Sequence, residues 1–163
     1  MLHGAKDVAR LRAETKAGAQ PWTTQTLAAA LPRTIVASAD WKVSASDEAE
    51  LAQKGCDGDG KTRWETKANQ KKGMWYQFEL PAAQTITGVR LDASGRPSAF
   101  AKNFKVEGSL DGQKWTALGT SHGLYALSEA YFPAKSVKFV KVTITDTTNN
   151  QPWAIQEVQL FAQ

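Results

Sequence analysis

The clearest pattern along the chain is an alternation of hydrophobic and polar residues with a period of two. It is strongest in residues 76–80, 104–107 and 140–144, where aromatic or branched side chains alternate with Gln, Glu, Lys or Thr. This period is typical of a β-strand with one buried and one solvated face. The same reasoning predicts further strands at residues 35–37, 41–46, 86–91, 115–118 and 155–161.

Clusters of turn-forming residues separate these predicted strands, for example at residues 109–113 and 147–152. No helical pattern lies between them. Many short strands joined by turns favour an antiparallel sandwich or barrel. The sequence therefore predicts an all-β fold for most of the chain.

The beginning of the chain has a different pattern. Residues 5–16 are rich in alanine, arginine and glutamate, with Val8 and Leu11 on one side, and residues 25–31 form a second short helical stretch before Pro32. We predict that residues 1–33 are a helical tail or a linker from a preceding domain. Residues 34–163 then form the β-domain, and 163 residues suffice for one domain with a tail.

Charge and hydropathy exclude two classes of partner. The net charge is +4, but the lysines are mostly isolated or close to acids, apart from a small cluster at residues 67–72, so we expect no nucleic acid. No apolar run reaches the roughly 18 residues of a membrane span, and the first residues lack the charge order of a secretion signal. The single cysteine, Cys56, is predicted to be a small buried residue without a disulfide partner.

The segment 54–64, Lys-Gly-Cys-Asp-Gly-Asp-Gly-Lys-Thr-Arg-Trp, holds the densest candidate chemistry. Acidic side chains and carbonyl-rich bends are what a calcium ion needs, since it takes six to eight oxygen ligands. The EF-hand template fails from Asp57, because Thr62 stands at its glycine position and Ala68 at its closing glutamate position. Two readings stay open here: an empty Asp-Gly turn, or a cation loop completed from elsewhere.

No combination of residues in the sequence is typical of catalysis. Asp57 and Asp59 are the one tight acidic pair in a plausible turn, and a cation site would use both. His3 lies in the predicted tail and His122 in a predicted turn, with no nucleophile elbow and no phosphate-binding glycine loop. We predict a non-enzymatic binding module.

Several motifs in order resemble the discoidin superfamily, which includes the coagulation factor five and eight type C domains and the family 32 carbohydrate-binding modules. The resemblance covers residues 35–161 and rests on the segment 41–46, the acidic loop with Thr62, Arg63 and Trp64, the Trp75, Glu79 and Leu80 strand, Ser109–Trp115, and Glu157 with Val158. It implies a jelly-roll antiparallel β-sandwich of about eight strands.

The resemblance also implies a structural calcium in the acidic loop, with sodium or an empty site as the alternatives. Its ligands would be the Lys54 carbonyl, Asp57, Asp59, the Thr62 carbonyl and hydroxyl, the Gln156 carbonyl and the Glu157 carboxylate. Such an ion would tie the loop to the last strand.

For sugar-binding members, the resemblance implies a shallow site on loops at one end of the sandwich. The candidate contacts are Asn69, Arg96, Asn150 and Trp153, with the Trp153 ring as a stacking surface. A packed Trp153 and a merely solvated Arg96 are the structural alternatives. Trp41, Trp64, Trp75 and Trp115 are predicted to lie in the core.

This sequence also departs from the sugar binders. It lacks a His and Trp pair after Trp64, and Ser94 stands where an arginine would strengthen the case. The acids of residues 46–50 disfavour an anionic lipid partner, so we expect no membrane insertion.

The predicted function is carbohydrate recognition by an extracellular or periplasmic module of a larger protein. The alternative is a protein-docking or architectural domain of a larger secreted protein with no sugar ligand.

Overall fold

The computed structural model describes residues 33–162 of the chain. The predicted helical tail lies outside these residues, except for Arg33, which begins the first strand one residue before the predicted domain boundary. Within this range the strands are β1 (Arg33–Val36), β2 (Lys42–Ala45), β3 (Trp64–Glu65), β4 (Trp75–Asp92), β5 (Asn103–Ser109), β6 (Thr116–His122), β7 (Leu127–Ile144), β8 (Ala154–Ile155) and β9 (Glu157–Ala162). Two short 3-10 segments, Ala49–Gly55 and Pro97–Ala99, complete the description.

The strands form an antiparallel sandwich of two layers. The two longest strands, β4 and β7, pass through both layers and connect them. The first part of β4 pairs with β2, and the last part pairs with β9. Strand β7 accompanies β4 along both parts, with a break in register between Glu79 and Gln84. The first layer continues through β5 to β6, and the second ends at β1 beside β9. The prediction of an all-β sandwich is confirmed.

The core lies between the two layers and is filled by the inward residues of the alternating segments. Phe78, Leu80, Ile86, Phe104 and Leu160 are all 2% exposed or less. Burial of large apolar side chains is the main favourable term in folding, at about 25 cal/mol for each Å² removed from water. The period-two pattern therefore encodes the fold directly.

Each of the eight predicted segments overlaps a strand, although residues 155–161 are divided at Gln156 between β8 and β9. The prediction missed β3 and residues 127–139 of β7. The inward positions there include Ser128 and Ala130, which are small and buried, so hydrophobic alternation does not show in the sequence. The 3-10 segment Ala49–Gly55 before the acidic loop was also not predicted. None of the helices in residues 33–162 is long and apolar enough to cross a membrane.

Tryptophan placement corrects one expectation. Trp41 and Trp64 are buried in the core, as predicted. Trp75 and Trp115 are only partly buried, because they lie on the outer surface around Lys141. The Lys141 ammonium nitrogen is 5.9 Å from the Trp75 ring centroid and 4.1 Å from that of Trp115. These two rings hold a cation at the surface and are not core residues.

Candidate functional site

In the acidic loop, several oxygen atoms converge on one hydroxyl group. The Thr62 Oγ1 atom lies 2.7 Å from Asp57 Oδ2, 3.1 Å from the Asp59 carbonyl oxygen and 3.2 Å from the Lys54 carbonyl oxygen. A threonine hydroxyl has a single proton, so it donates to one of these acceptors at a time. Four oxygen atoms therefore lie close together, and the one hydroxyl proton can satisfy a single acceptor at a time.

Local turn chemistry sets the path of this loop. The Asp57 Oδ1 atom accepts a hydrogen bond from the Asp59 amide at 2.8 Å, and Asp59 Oδ1 accepts one from the Lys61 amide at 2.9 Å. Between them, Gly58 has a φ of +80°, which L side chains rarely adopt. The Asp59 carboxylate bonds to the Lys61 amide, so it is the Asp59 carbonyl oxygen that lies beside the Thr62 hydroxyl. The Asp59 side chain was the ligand predicted from the sequence.

The last strand supplies the second carboxylate of the site. Both oxygen atoms of Glu157 are buried, and neither makes a hydrogen bond of normal geometry within residues 33–162, although the nearby backbone amides of Gly58 and Val158 act to lower its pKa. Burial, together with the negative charge of Asp57, raises the pKa of the Glu157 carboxyl from 4.5 to about 7. Two carboxylates thus face each other with no cation from the described part of the chain between them.

The two carboxylates also affect the pKa values of the neighbouring Cys56 and Tyr76 side chains. Burial is the largest cause of the raised pKa of the Cys56 thiol, and the charges of Glu157 and Asp57 raise it further. Burial also raises the pKa of the Tyr76 phenol, with the same two carboxylates contributing. Cys56 is buried, as predicted. Burial and the two carboxylates therefore favour the neutral forms of both groups.

This oxygen cluster fits a hard dication. It comprises two carboxylates, Asp57 and Glu157, one hydroxyl and two carbonyls. In the described residues, no group of three or more His, Cys, Asp and Glu side chains could hold a metal, so neutral oxygens must complete any cage. Calcium accepts such mixed oxygen sets, whereas structural zinc sites are built from Cys sulfur and His nitrogen.

Gln156, another of the six predicted ligands, connects loops through its side chain. Its Nε2 atom donates to the Gly60 carbonyl, and its Oε1 atom accepts from the Gly95 amide. The Gln156 amide nitrogen donates to the Asp92 carbonyl at 2.7 Å. The acidic loop, the loop after β4 and the start of β9 are therefore held together beside the oxygen cluster.

A second buried polar group, Gln70, joins three loops at the same end. Its Nε2 atom donates to the Phe100 carbonyl at 2.8 Å and to the Pro152 carbonyl at 3.0 Å, while Oε1 accepts from the Lys102 amide at 3.2 Å. The main chain of Gln70 adds bonds to Gln151 and Thr148. We call this set of contacts the Gln70 clamp. No signal in the sequence distinguishes Gln70 from a surface glutamine.

Three of the predicted sugar contacts are exposed on loops that the Gln70 clamp joins. Asn69 donates from Nδ2 to the Asn149 carbonyl at 2.9 Å, which places it next to Asn150. Arg96 lies in the loop after β4 and forms an ion pair with Glu65 of β3. Arg63 contacts the other oxygen of Glu65 at 3.2 Å, so Arg96 is held and not free in solvent.

Comparison with known families decides what this domain is. Residues 35–158 match the family model of the F5/8 type C domain. The chain belongs to the F5/8 type C domain family. This confirms the resemblance to the discoidin superfamily, and no curated protein matches the sequence.

Solved structures share the fold of this F5/8 type C domain. One is CpGH89CBM32-5 from Clostridium perfringens in complex with GalNAc-β-1,3-galactose, with 20% identity, a TM-score of 0.65, and coverage of 78% of this chain and 100% of that one. Another is the family 32 module of C. perfringens NanJ in complex with galactose, with 16% identity, a TM-score of 0.63, and coverage of 79% and 99%. A third is chitosan-binding module 1 of a chitosanase/glucanase from Paenibacillus sp. IK-5, with 25% identity, a TM-score of 0.61, and coverage of 73% and 92%.

The F5/8 type C fold of this chain removes one predicted sugar contact. Trp153 has no exposed surface and packs edge-on against Trp64, with ring centroids 5.1 Å apart, and against Tyr76 at 6.4 Å. Its amide donates to the Thr66 hydroxyl at 2.8 Å, which fixes the loop before β8. The expectation of a stacking surface at Trp153 is therefore wrong for this structure, because the ring fills the core.

Proposed function

We propose that this F5/8 type C domain is a non-catalytic carbohydrate-binding module whose loops at one end contact the sugar. Family membership and the shared fold support this proposal, since two of the similar structures hold galactose or GalNAc-β-1,3-galactose. The proposed ligand is a terminal or side-chain sugar of a glycan.

The Gln70 clamp is the observation that carries the proposal. It fixes three loops before any ligand arrives, so that Asn69, Arg96 and Asn150 are presented on a rigid support. Amide and guanidinium groups provide the donors and acceptors that sugar hydroxyls need. A preformed site avoids the cost of ordering loops on binding, which often limits affinity for small ligands.

A glycan panel containing galactose, GalNAc-β-1,3-galactose and chitosan oligomers tests the proposal. The wild-type protein is expected to bind at least one member, and Asn69→Ala, Arg96→Ala or Asn150→Ala is expected to weaken that binding. Trp153→Ala is unsuitable as a test because it empties the core. Failure of the wild type to bind any member of a broad panel would favour the protein-docking alternative.

We infer in addition that the oxygen cluster around Thr62 holds a structural calcium. The buried Glu157 carboxylate, which makes no hydrogen bond of normal geometry within residues 33–162, and the crowded Thr62 hydroxyl support this inference. Lys54, Asp57, Asp59, Thr62 and Glu157 would hold the ion, which would neutralise the two carboxylates and fix the acidic loop to β9. A structural role is proposed because protein oxygens supply most of the ligands.

Chelation tests the calcium proposal directly. Removal of divalent ions with EDTA is expected to lower the melting temperature, and added calcium to restore it, while Glu157→Ala abolishes the response. Sodium at equal ionic strength is the control, since restoration by sodium would reassign the ion. An unchanged melting temperature in EDTA for a protein purified with calcium would count against the site.

The proposed setting is extracellular or periplasmic, within a larger protein. Similar modules occur in carbohydrate-active enzymes, such as the chitosanase/glucanase of Paenibacillus sp. IK-5. In that setting the module would hold its parent protein at a glycan surface.

A further inference from the structure

The largest exposed apolar side chains of the described domain gather at the β6–β7 hairpin. Leu124 is 79% exposed, Tyr125 is 72% exposed and Tyr131 is 65% exposed. They border a groove of about 390 Å³, which we call the hairpin groove, whose other lining includes Ser121, His122 and Glu129. Exposed apolar side chains that gather in one place, as these do, are typical of binding surfaces.

The Tyr131 ring is fixed in place before any ligand binds. Phe161 of β9 stacks on it with ring centroids 5.3 Å apart and planes 16° from parallel. The Tyr131 hydroxyl donates to Glu129 Oε2 at 3.1 Å. One ring face is therefore covered by Phe161, and the exposed remainder of the ring borders the groove.

Gly88 makes this arrangement possible. It lies on β4 between the two rings and pairs with Tyr131 on one side and Phe161 on the other. A Cβ atom at Gly88 would lie 2.9 Å from Phe161 Cδ2, 3.1 Å from Tyr131 Cδ1 and 2.8 Å from the Ala130 carbonyl oxygen. Because glycine has no side chain, the rings can lean over β4 and stack.

The opposite end of the hairpin groove is equally rigid. Leu124 and Leu127 exchange two backbone hydrogen bonds of 2.8 Å around a tight turn, in which Ala126 has a φ of +70°. The Ala126 carbonyl accepts a hydrogen bond from the Ala93 amide at 2.7 Å, and the Ala126 amide donates one to the Pro97 carbonyl at 2.9 Å. This turn therefore holds Tyr125 beside the loop that carries Arg96.

The polar groups of the groove indicate what class of molecule it accepts. Glu129 is neutralised by an ion pair with Arg90, and His122 Nδ1 lies 2.9 Å from Asn103 Oδ1. The groove thus combines two aromatic rings with charge-compensated polar groups. A pyranose matches this combination, because its apolar face stacks on an aromatic ring while its hydroxyls bond to polar atoms. A purely apolar partner would leave those polar atoms without bonds.

We propose that the hairpin groove is a second sugar subsite, which takes a neutral pyranose unit against Tyr131, with Tyr125 at its other end. This proposal rests on the proposed carbohydrate-binding function. It assigns an aromatic stacking surface to a domain in which Trp153 is buried, and it places that surface on the hairpin next to the loop of Arg96. A glycan of two or more units would contact both places.

Titration of the full chain with galactose and GalNAc-β-1,3-galactose, followed by calorimetry and by backbone amide NMR shifts, tests the subsite. Tyr131→Ala is expected to weaken disaccharide binding by about tenfold, which corresponds to about 1.4 kcal/mol. Tyr125→Ala is expected to weaken it less, and Tyr131→Phe, which keeps the ring, to preserve most of it. Trp115→Ala removes a ring from the other layer and is the matched control, with no expected change.

The outcomes separate the subsite from the proposed function. If the wild type binds no member of the glycan panel, the carbohydrate function itself fails. If the sugar binds and Arg96→Ala weakens it, but Tyr125→Ala and Tyr131→Ala do not and amides of residues 121–131 stay unshifted, the subsite is wrong while the function stands. Self-association or phosphatidylcholine vesicle binding that requires Tyr131, without any effect on sugar affinity, would also overturn the subsite.

Discussion

Gln70 and Glu157 are two buried polar side chains at the same end of the sandwich, and they are satisfied in different ways. The amide of Gln70 has three protein partners, and the residue has no exposed surface. The carboxylate of Glu157 makes no hydrogen bond of normal geometry among the described residues and faces another carboxylate. A buried polar group without a partner costs about 1–3 kcal/mol, more when it is charged.

This difference separates two roles for buried polar side chains in the domain. Where the protein supplies every partner, as at Gln70, the polar group is a structural connector that works without a ligand. Where partners are missing, as at Glu157, the site is open to something from solution. The four predictions that follow test this division.

The largest expected effect is that of Gln70→Ala. It would leave two carbonyls and one amide without partners, so we expect a loss of about 3 kcal/mol in the free energy of unfolding. Urea unfolding with and without calcium measures it, and the loss is expected to be the same in both. Lys71→Ala, one residue away and exposed, is the control, with a change within about 0.5 kcal/mol. If calcium restored the stability of Gln70→Ala, the contrast between Gln70 and Glu157 would be wrong.

Calcium is expected to have the next largest effect. At a free concentration of 100 times its dissociation constant, it would stabilise the folded state by about 2.7 kcal/mol. Glu157→Gln is expected to remove this gain, and in EDTA the same variant should be more stable than wild type, because it ends the repulsion with Asp57. Thermal unfolding of wild type and Glu157→Gln, with calcium and in EDTA, measures whether the stability difference between the two proteins changes sign. A Glu157→Gln variant that is less stable than wild type in EDTA would refute the interpretation.

The pH dependence of stability sharpens the comparison further. In EDTA the folded Glu157 carboxyl has a pKa of about 7, above its ordinary 4.5, so the folded state binds the proton more tightly than the unfolded state. Its contribution to stability is therefore present below pH 4.5 and is lost as the pH rises to about 7. Calcium requires the ionised carboxylate and should oppose this loss. Melting temperatures across this range, with Glu157→Gln as a flat reference, measure the effect.

The smallest effect concerns Cys56. Burial and the two carboxylates raise the pKa of its thiol, so the reactive thiolate is scarce in the folded protein. We expect alkylation by iodoacetamide to be slow with calcium and modestly faster in EDTA, where opening of the acidic loop is easier. Mass spectrometry of timed samples measures the rate. Rapid labelling in calcium would show that the loop is open.

Much of this architecture was predictable because it depends on local patterns. Alternating residues such as Tyr76, Phe78 and Leu80 marked the strands, and the Asp-Gly repeat with Thr62 marked the acidic loop before its geometry was known. The six predicted ligands came from family resemblance, and the structure brings oxygen atoms of Lys54, Asp57 and Asp59 to the Thr62 hydroxyl. These features are close in sequence or follow one another in a fixed order.

The remaining features depend on contacts between distant segments, which a single sequence does not show. The Gln70 clamp joins residues more than 80 positions apart at its longest, between Gln70 and Pro152. Whether Trp153 faces solvent depends on how the loop before β8 packs on Trp64 and Tyr76. The groove at Tyr131 requires a glycine on a neighbouring strand, and a glycine in a strand has many other possible reasons.

The pairing of β1 with β9 has a consequence for how this domain is carried. Arg33 lies opposite Ala162 at the edge of the second layer, so the chain enters and leaves the sandwich side by side. A unit whose entry and exit are adjacent can be added to another polypeptide without separating the segments on either side of it. The paired ends of β1 and β9 lie at the opposite end of this layer from the loop that follows Asp92, so an attachment at these ends would leave that loop uncovered.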